Sequence, residues 1–340
     1  VKDLKIGIIG AGGIAVNRHI PAFKALGDKC TLWGLTDINS ERATEVANEH
    51  NIPHVFIDHR DLLKEVDAVC ICTPNKFHAR YAIEALNSGV HVFCEKPMAL
   101  SKKECEDMIV ASEKSGKKLA IAYHYRFMKE AQGAKRMMSE VGTPLVARVR
   151  AMRRRKVPGW GVFTNRELQG GGSLIDYGCH LLDLALWLMG NPKHTAVNGS
   201  VYNELSKTPN GLNEWGTFDH NTFDVDDHVT AYLKFENGAS LLLEASWAAN
   251  IKSDEEHVSI SGVDGGLNVF PFELYTSKNG MLLNSTSPWS EGEENYSLSQ
   301  AKNFIEACGG EAELVVKPEE ALQVSAIIDE IYQKSTVEGR

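Results

Sequence analysis

Leu4-Lys5-Ile6-Gly7-Ile8-Ile9-Gly10-Ala11-Gly12-Gly13-Ile14-Ala15 is the stretch on which the reading of the fold turns. An apolar run ends in a glycine cluster and passes at once into a helical pattern. Residues 4–10 are therefore expected as a buried strand, and 14–26 as the helix that follows it. Gly10 permits a tight turn, Gly12 lets backbone approach a pyrophosphate closely, and the small Ala15 lets the helix pack on a sheet. Backbone N–H groups around Gly12, Gly13 and Ile14, at the positive end of that helix, are placed to receive phosphates.

A glycine pattern alone is weak evidence, but an acidic residue ending the next strand strengthens it. That residue is Asp37, in Gly34-Leu35-Thr36-Asp37-Ile38-Asn39. Its carboxylate can accept both ribose hydroxyls, whereas a 2′-phosphate would meet like charge. No Arg follows it immediately, and Arg42 lies a helical turn further on, so NAD is expected over NADP. Thr73-Pro74-Asn75 ends another strand at the carboxyl edge, where open α/β sheets bind ligands, and His78 begins the next helix.

The same alternation continues to about residue 123. Strands are expected at 32–37, 68–73, 91–95 and 119–123, and helices at 41–50, 77–88 and 102–115. Ser101 with Glu104 forms a capping box before the last helix, and Gly116 can end it. Strand–helix repetition means a parallel sheet covered on both faces. Beyond 124 the pattern changes. Asn237-Gly238 and Asn279-Gly280 mark tight antiparallel hairpins between short strands. One long helix over 174–188 interrupts this half, and helices near 298–307 and 318–333 close it. The division expected is thus 1–123 and 124–340, without a flexible tether.

Composition narrows the function classes. The 340 residues are 43% hydrophobic and 24% charged, as in soluble globular proteins. A net charge of -9 argues against a nucleic-acid binder, which needs a basic surface. No apolar run approaches the roughly 20 residues that span a bilayer. The start shows no signal-peptide pattern, and Cys30, Cys70, Cys72, Cys94, Cys105, Cys179 and Cys308 lack regular spacing. Thiols in a reducing cytoplasm are expected, with neither a disulfide framework nor a metal site.

Asp176 and His180 stand four apart in Gly170-Gly171-Gly172-Ser173-Leu174-Ile175-Asp176-Tyr177-Gly178-Cys179-His180, so a regular helix would turn both toward one cleft. Glu95-Lys96-Pro97, at a strand's carboxyl edge, adds an ammonium, and Pro97 holds the backbone at Lys96 extended. Acid, base and fixed positive charge are what redox chemistry on an alcohol needs. An imidazole with an ordinary pKa near 6.5 suits His180 as the base. Lys96 would stabilise the developing alkoxide, and Asp176 would accept a substrate hydrogen bond.

These motifs, with Tyr125-Arg126-Phe127 and Asp183, resemble those of the glucose–fructose oxidoreductase, inositol dehydrogenase and rhizopine-catabolism oxidoreductase (Gfo/Idh/MocA) family over almost the whole chain. The resemblance implies an N-terminal Rossmann domain followed by an α+β domain with a large, mainly antiparallel open sheet that builds homodimers or homotetramers. It also implies NAD(P)-dependent oxidation or reduction of a sugar, polyol (inositol-like) or sugar derivative, with Lys96, Asp176 and His180 as the catalytic set. Gly10, Gly12, Gly13, Ile14, Asp37, Thr73, Pro74, Asn75, His78, Glu95 and Lys96 then fall on the cofactor side. This chain has His124 where relatives often carry Asn.

Around the substrate, Tyr123 ends the last strand of the first half, Arg153 opens a basic run, Trp160 could stack on a sugar face, and Asn165 follows in the same loop. Trp247 and His228 read as structural. Two other functions use the same parts: a glycosidase that oxidises its substrate transiently with NAD, and a non-catalytic NAD-sensing regulator. A metal-ligand reading of Asp176, His180 and Asp183 has no Cys/His cluster to support it.

Overall fold

β1 (Leu4–Ile9) is apolar at nearly every position because both faces of the sheet around it are covered. The other strands of this sheet are β2 (Cys30–Thr36), β3 (His54–Val55), β4 (Ala68–Ile71), β5 (His91–Cys94) and β6 (Leu119–Ile121). Their order is β3-β2-β1-β4-β5-β6, all parallel. The order reverses beside β1, which puts the turn after β1 and the loop after β4 at the switch point of a doubly wound sheet. The computed structural model describes residues 3–209 and 211–337.

The sequence pattern places these elements closely, with two differences. The short β3 pairs only with β2 at the sheet edge and has no apolar run to announce it. The helix expected over 14–26 opens instead as a π-helical turn, Ala15–His19, in which Ile20 N–H bonds the Ala15 carbonyl, before the α-helix Ile20–Lys24. The capping box of Ser101 and Glu104 is formed, and Gly116 ends that helix in the left-handed region.

This first unit comprises the residues up to Phe127 together with Asn295–Leu322. The single crossing expected near residue 124 therefore differs from the observed contacts. The physical reason is long-range. Phe304, on the helix Tyr296–Cys308, packs against Phe93 of β5 with ring centroids 5.3 Å apart. The fully buried Arg126 donates to the Val315 carbonyl at 3.1 Å and pairs with Glu320. A buried guanidinium needs such partners, and the returning segment brings these two.

The second unit runs from Met128 to Glu294 and resumes at Gln323. Its strands are β7 (Pro144–Met152), β8 (His194–Tyr202), β9 (His228–Phe235), β10 (Ser240–Ser246), β11 (Glu255–Gly262), β12 (Gly265–Asn268), β13 (Glu273–Lys278) and β14 (Met281–Thr286). They form one sheet in the order β14-β13-β12-β11-β7-β10-β9-β8, antiparallel except between β7 and β10. Both expected hairpins are present, with Gly238 and the Asn279-Gly280 pair at positive φ. The buried helix Cys179–Leu188 packs on β7 and β11. The opposite face of the sheet carries Tyr232 and Leu242 side by side in register, both exposed. Among the described residues no helix is long and apolar enough to cross a membrane.

Candidate functional site

In the first unit, Gly10 adopts φ +100° and its N–H bonds the Thr36 carbonyl at 2.8 Å. A β-carbon on Gly10 would stand 2.8 Å from the Cys72 carbonyl oxygen, so only glycine lets the turn lie this close to the end of β4. Gly12 and Gly13 are exposed, and a β-carbon on Gly12 would meet nothing within 4 Å, which leaves its backbone open to a ligand. Asp37 is fixed in aim: Oδ2 accepts from Ala11 N–H at 2.7 Å and Oδ1 from Asn39 N–H at 2.8 Å. Arg42 reaches the same turn, its Nε 3.4 Å from the Ala11 carbonyl, but its charge is paired with Glu45. Beside the turn, the buried Thr73 Oγ1 has no hydrogen-bond partner among the described residues. Open backbone N–H groups, an aimed carboxylate and an orphaned hydroxyl fit a ribose–pyrophosphate group.

Glu95, Lys96 and Pro97 leave β5 at the same edge. Glu95 is buried; Oε1 lies 2.6 Å from His19 Nε2, and Oε2 accepts the Lys96 N–H at 3.0 Å. Burial alone would push this carboxyl up. The hydrogen bond from His19, then the charges of His19, Lys96 and Arg18, outweigh it and hold the pKa at about 2. Glu95 thus stays ionised and fixes the backbone from which the half-buried Lys96 projects.

Several expected site residues are held by contacts within the protein. His78 is fully buried, with Nδ1 2.8 Å from the Pro97 carbonyl and Nε2 3.0 Å from that of Thr73. Burial lowers its pKa, so at neutral pH the ring carries one N–H and donates to one of these carbonyls. It clamps two loops together where a cofactor contact was expected. Tyr123 is fully buried in the first unit. His124 is buried and stacks on Tyr296, while Arg18 Nη1 lies 3.0 Å from its Nδ1. Burial and then the Arg18 charge push its pKa well down, which makes it a neutral acceptor for that guanidinium.

In the second unit, Asp176 and His180 lie on a helix whose start is not regular. Leu174–Gly178 is a π-helical turn, with Cys179 N–H bonding the Leu174 carbonyl, and the α-helix Cys179–Leu188 follows. The hydrogen-bond register across Asp176 is therefore i, i+5 in place of the i, i+4 of a regular helix, a distortion frequent at functional sites. Asp226 anchors this start. Its Oδ1 accepts from Gly172 N–H at 2.6 Å and Tyr332 Oη at 2.7 Å; its Oδ2 accepts from Ser173 Oγ at 2.8 Å and Leu174 N–H at 3.0 Å. Gly172 is required because any β-carbon there would collide with the Asp226 carbonyl oxygen. Burial, and then the Asp226 charge, raise the Tyr332 phenol far above its ordinary range, so it remains a donor.

Asp176 Oδ2 accepts from Trp247 Nε1 at 3.1 Å and lies 3.5 Å from Arg153 Nη1. The Arg153 guanidinium is held between two rings, 4.3 Å from the centroid of Tyr177 and 4.6 Å from that of Trp215. His180 is buried on the following turn, and Asp183 is fully buried. Among the described residues the ligand-type atoms of Asp176, His180 and Asp183 do not converge; the cluster that does is His19, Cys70 and Cys72. Asn165 caps the short helix Arg166–Gln169, its Oδ1 accepting from Leu168 N–H at 3.0 Å, so that oxygen is occupied. Trp160 is exposed and packs on Trp215 at 5.3 Å.

The sequence reading missed His19, Trp215, the polar role of Trp247, and Asp226. Asp226 sits in Asp224-Val225-Asp226-Asp227, which reads as a solvated acidic run. Its one signal was the flanking Val225, alternating with it as in a buried segment.

Residues 4–123 match the model of an oxidoreductase family with an NAD-binding Rossmann fold, and residues 132–268 match the GFO/IDH/MocA C-terminal domain. The chain is 33% identical to a D-glucoside 3-dehydrogenase of Escherichia coli, over 98% of this chain and 96% of that one. It is 27% identical to a levoglucosan dehydrogenase of Pseudarthrobacter phenanthrenivorans, over 80% of this chain and 75% of the other. Among solved structures, a levoglucosan dehydrogenase in complex with NADH and levoglucosan shares the fold, with a TM-score of 0.84, 22% identity, and 99% and 98% of the two chains covered. An aldose-aldose oxidoreductase from Caulobacter crescentus complexed with glycerol gives a TM-score of 0.80 at 25% identity, over 99% and 98%.

Two expectations follow from this geometry. Asp226→Asn removes one strong acceptor while its donors stay buried, and should cost roughly 2–4 kcal/mol in urea unfolding; a loss within error would leave the helix start anchored elsewhere. For Glu95, the folded pKa of about 2 lies below the ordinary 4.5. Its charge therefore contributes stability in full above pH 4.5 and loses it progressively as pH falls toward 2. The melting-temperature advantage of wild type over Glu95→Gln should be level above that range and shrink within it; an advantage unchanged by acid would contradict the assignment.

Proposed function

We propose that this chain, which belongs to the GFO/IDH/MocA family of NAD-binding oxidoreductases, oxidises a secondary ring hydroxyl of a glucoside-like sugar, that at carbon 3 first among them. The observation that carries the reading is the aimed carboxylate of Asp176, held by Trp247 and Arg153 on the helix that also bears His180. The likeness to the E. coli glucoside dehydrogenase supports the substrate class.

His180 takes the hydroxyl proton as the carbon is oxidised, and returns it to the carbonyl in the reverse direction. The Lys96 ammonium stabilises negative charge on the substrate oxygen, from a backbone that Glu95 fixes. Asp176 accepts a hydrogen bond from a neighbouring substrate hydroxyl and so orients the ring. When bound, the nicotinamide supplies the acceptor for the hydride leaving the carbon. Gly10, Gly12, Gly13, Ile14, Thr73, Pro74 and Asn75 would hold its phosphates and ribose, and the aimed Asp37 would favour the unphosphorylated ribose of NAD.

The exposed row containing Tyr232 and Leu242 on the open sheet face is where we place a subunit contact with a second copy. None of the seven cysteines, all among the described residues, forms a disulfide, which suits a reducing compartment such as the cytoplasm.

Incubation with glucosides and NAD+ should yield NADH and a keto sugar; the absence of net NADH with any glucoside would contradict the reading. In that assay His180→Ala should lose roughly 100-fold or more in kcat while binding NAD+ as wild type does. Near-normal turnover would remove His180 from the reaction. The same assay should return a higher kcat/KM for NAD+ than for NADP+, and the reverse order would overturn the role given to Asp37.

A further inference from the structure

We infer that Trp160 and Trp215 form a stacking subsite for a second, uncharged ring of the substrate, an aryl or sugar aglycone linked to the ring that is oxidised. The inference rests on the glucoside reading above and extends it from the reacting ring to what that ring carries.

The two indoles belong to two loops fastened together within the second unit. Asn213 Oδ1 accepts the Val157 N–H at 2.8 Å, and its Nδ2 donates to the carbonyls of Val157 at 2.9 Å and Gly216 at 2.8 Å. Glu214 N–H bonds the Arg155 carbonyl at 2.8 Å. Gly159 lies so close to the Thr217 carbonyl that no side chain would fit between them. The loops thus hold their side chains in place before any ligand arrives, which lowers the entropy cost of binding.

What these loops bury and what they leave out differ. Val157, Phe223, Val225 and Trp247 form a small core, with Phe163 and Phe218 packed against it. Trp160 and Trp215 stay 53% and 37% exposed, with ring centroids 5.3 Å apart at 49°. Two large apolar rings left in water beside a core that accepts others are surface available to a ligand. Their position is informative too. Trp215 covers the Arg153 guanidinium, whose Nη1 is 3.5 Å from Asp176 Oδ2. The indole pair therefore begins one guanidinium away from the carboxylate that orients the reacting ring.

The indole faces, more than the charges nearby, set what kind of second ring fits. Of the basic run after Arg153, Arg154 donates to the Lys252 carbonyl at 3.2 Å, Arg155 to Asn250 Oδ1 at 2.5 Å, and Lys156 pairs with Asp254 and, at 3.6 Å, with Glu214. Lys156 is neutralised by those carboxylates, whereas Arg154 and Arg155 bond only neutral oxygens and keep their charge. The C–H face of a sugar or the face of an aryl group is what matches the indole rings themselves.

The test compares methyl glucoside with 4-nitrophenyl glucoside and cellobiose on wild type, Trp160→Ala, Trp215→Ala and Trp215→Phe. Trp160→Ala should raise KM for the two ring-bearing glucosides roughly tenfold, about the worth of one aromatic contact, and change methyl glucoside less than twofold; Trp215→Ala, which also unseats Arg153, should raise KM for all three but most for the ring-bearing ones. Trp215→Phe should recover most of the loss. Trp160, whose ring packs on Trp215 and Phe163, separates stacking from the support that Trp215 gives Arg153. Equal losses on all three glucosides in Trp160→Ala, or unchanged KM on the ring-bearing ones, would overturn the subsite. So would a fall in oligomeric mass by light scattering with KM unaltered. If wild type reduces NAD+ with none of them, the reading of the reaction fails and calorimetry decides the subsite. Tighter binding of the ring-bearing glucosides that is lost in the alanine variants supports it; equal binding overturns it.

Discussion

A buried carboxylate needs hydrogen-bond partners on nearly every side, and Asp226 meets that demand by organising everything around it. Backbone N–H groups of Gly172 and Leu174, with the hydroxyls of Ser173 and Tyr332, converge on its two oxygens. The glycines before the helix are there because side chains would occupy the space that the Asp226 backbone and Tyr332 take. Fixing the helix start fixes where Asp176 and His180 point. Trp247, itself fully buried, then sets the aim of the Asp176 carboxylate.

The first unit solves a parallel problem with a different pair. Glu95 is kept ionised by His19, and its second oxygen holds the backbone of Lys96. His19 ends a π-helical turn directly behind the glycine loop, just as Asp176 lies in a π-helical turn in the second unit. Each unit thus departs from regular helix beside its candidate site residues, and each departure is secured by a buried carboxylate. Such distortion costs hydrogen-bond quality and persists only where packing over-determines it.

Local signals made much of this legible in the chain itself. Strand–glycine–helix order, the Asn-Gly turns and the Ser101–Glu104 box each depend on a few adjacent residues, and these elements appear where they were expected. What could not be read depends on distant partners. The return of residues 295–322 to the first unit follows from Arg126 and Phe93 finding Glu320 and Phe304, and no periodicity records that. A π turn shifts hydrogen-bond register without changing the apolar pattern, so Asp176 and His180 looked like an ordinary i, i+4 pair. His78 bonds two carbonyls, Tyr123 lies in the core and Asn165 Oδ1 caps a helix, contacts that no local pattern announces. Trp215 lies in a polar loop, where nothing adjacent told of its contact with Arg153.

The most direct measurement is a crystal structure of the chain with NADH and a glucoside bound together. The account predicts the His180 ring within hydrogen-bond distance of the sugar oxygen whose carbon faces C4 of the nicotinamide, with Lys96 Nζ on the same oxygen. A complex in which that oxygen is held by other residues, or in which His180 contacts only protein, would contradict it.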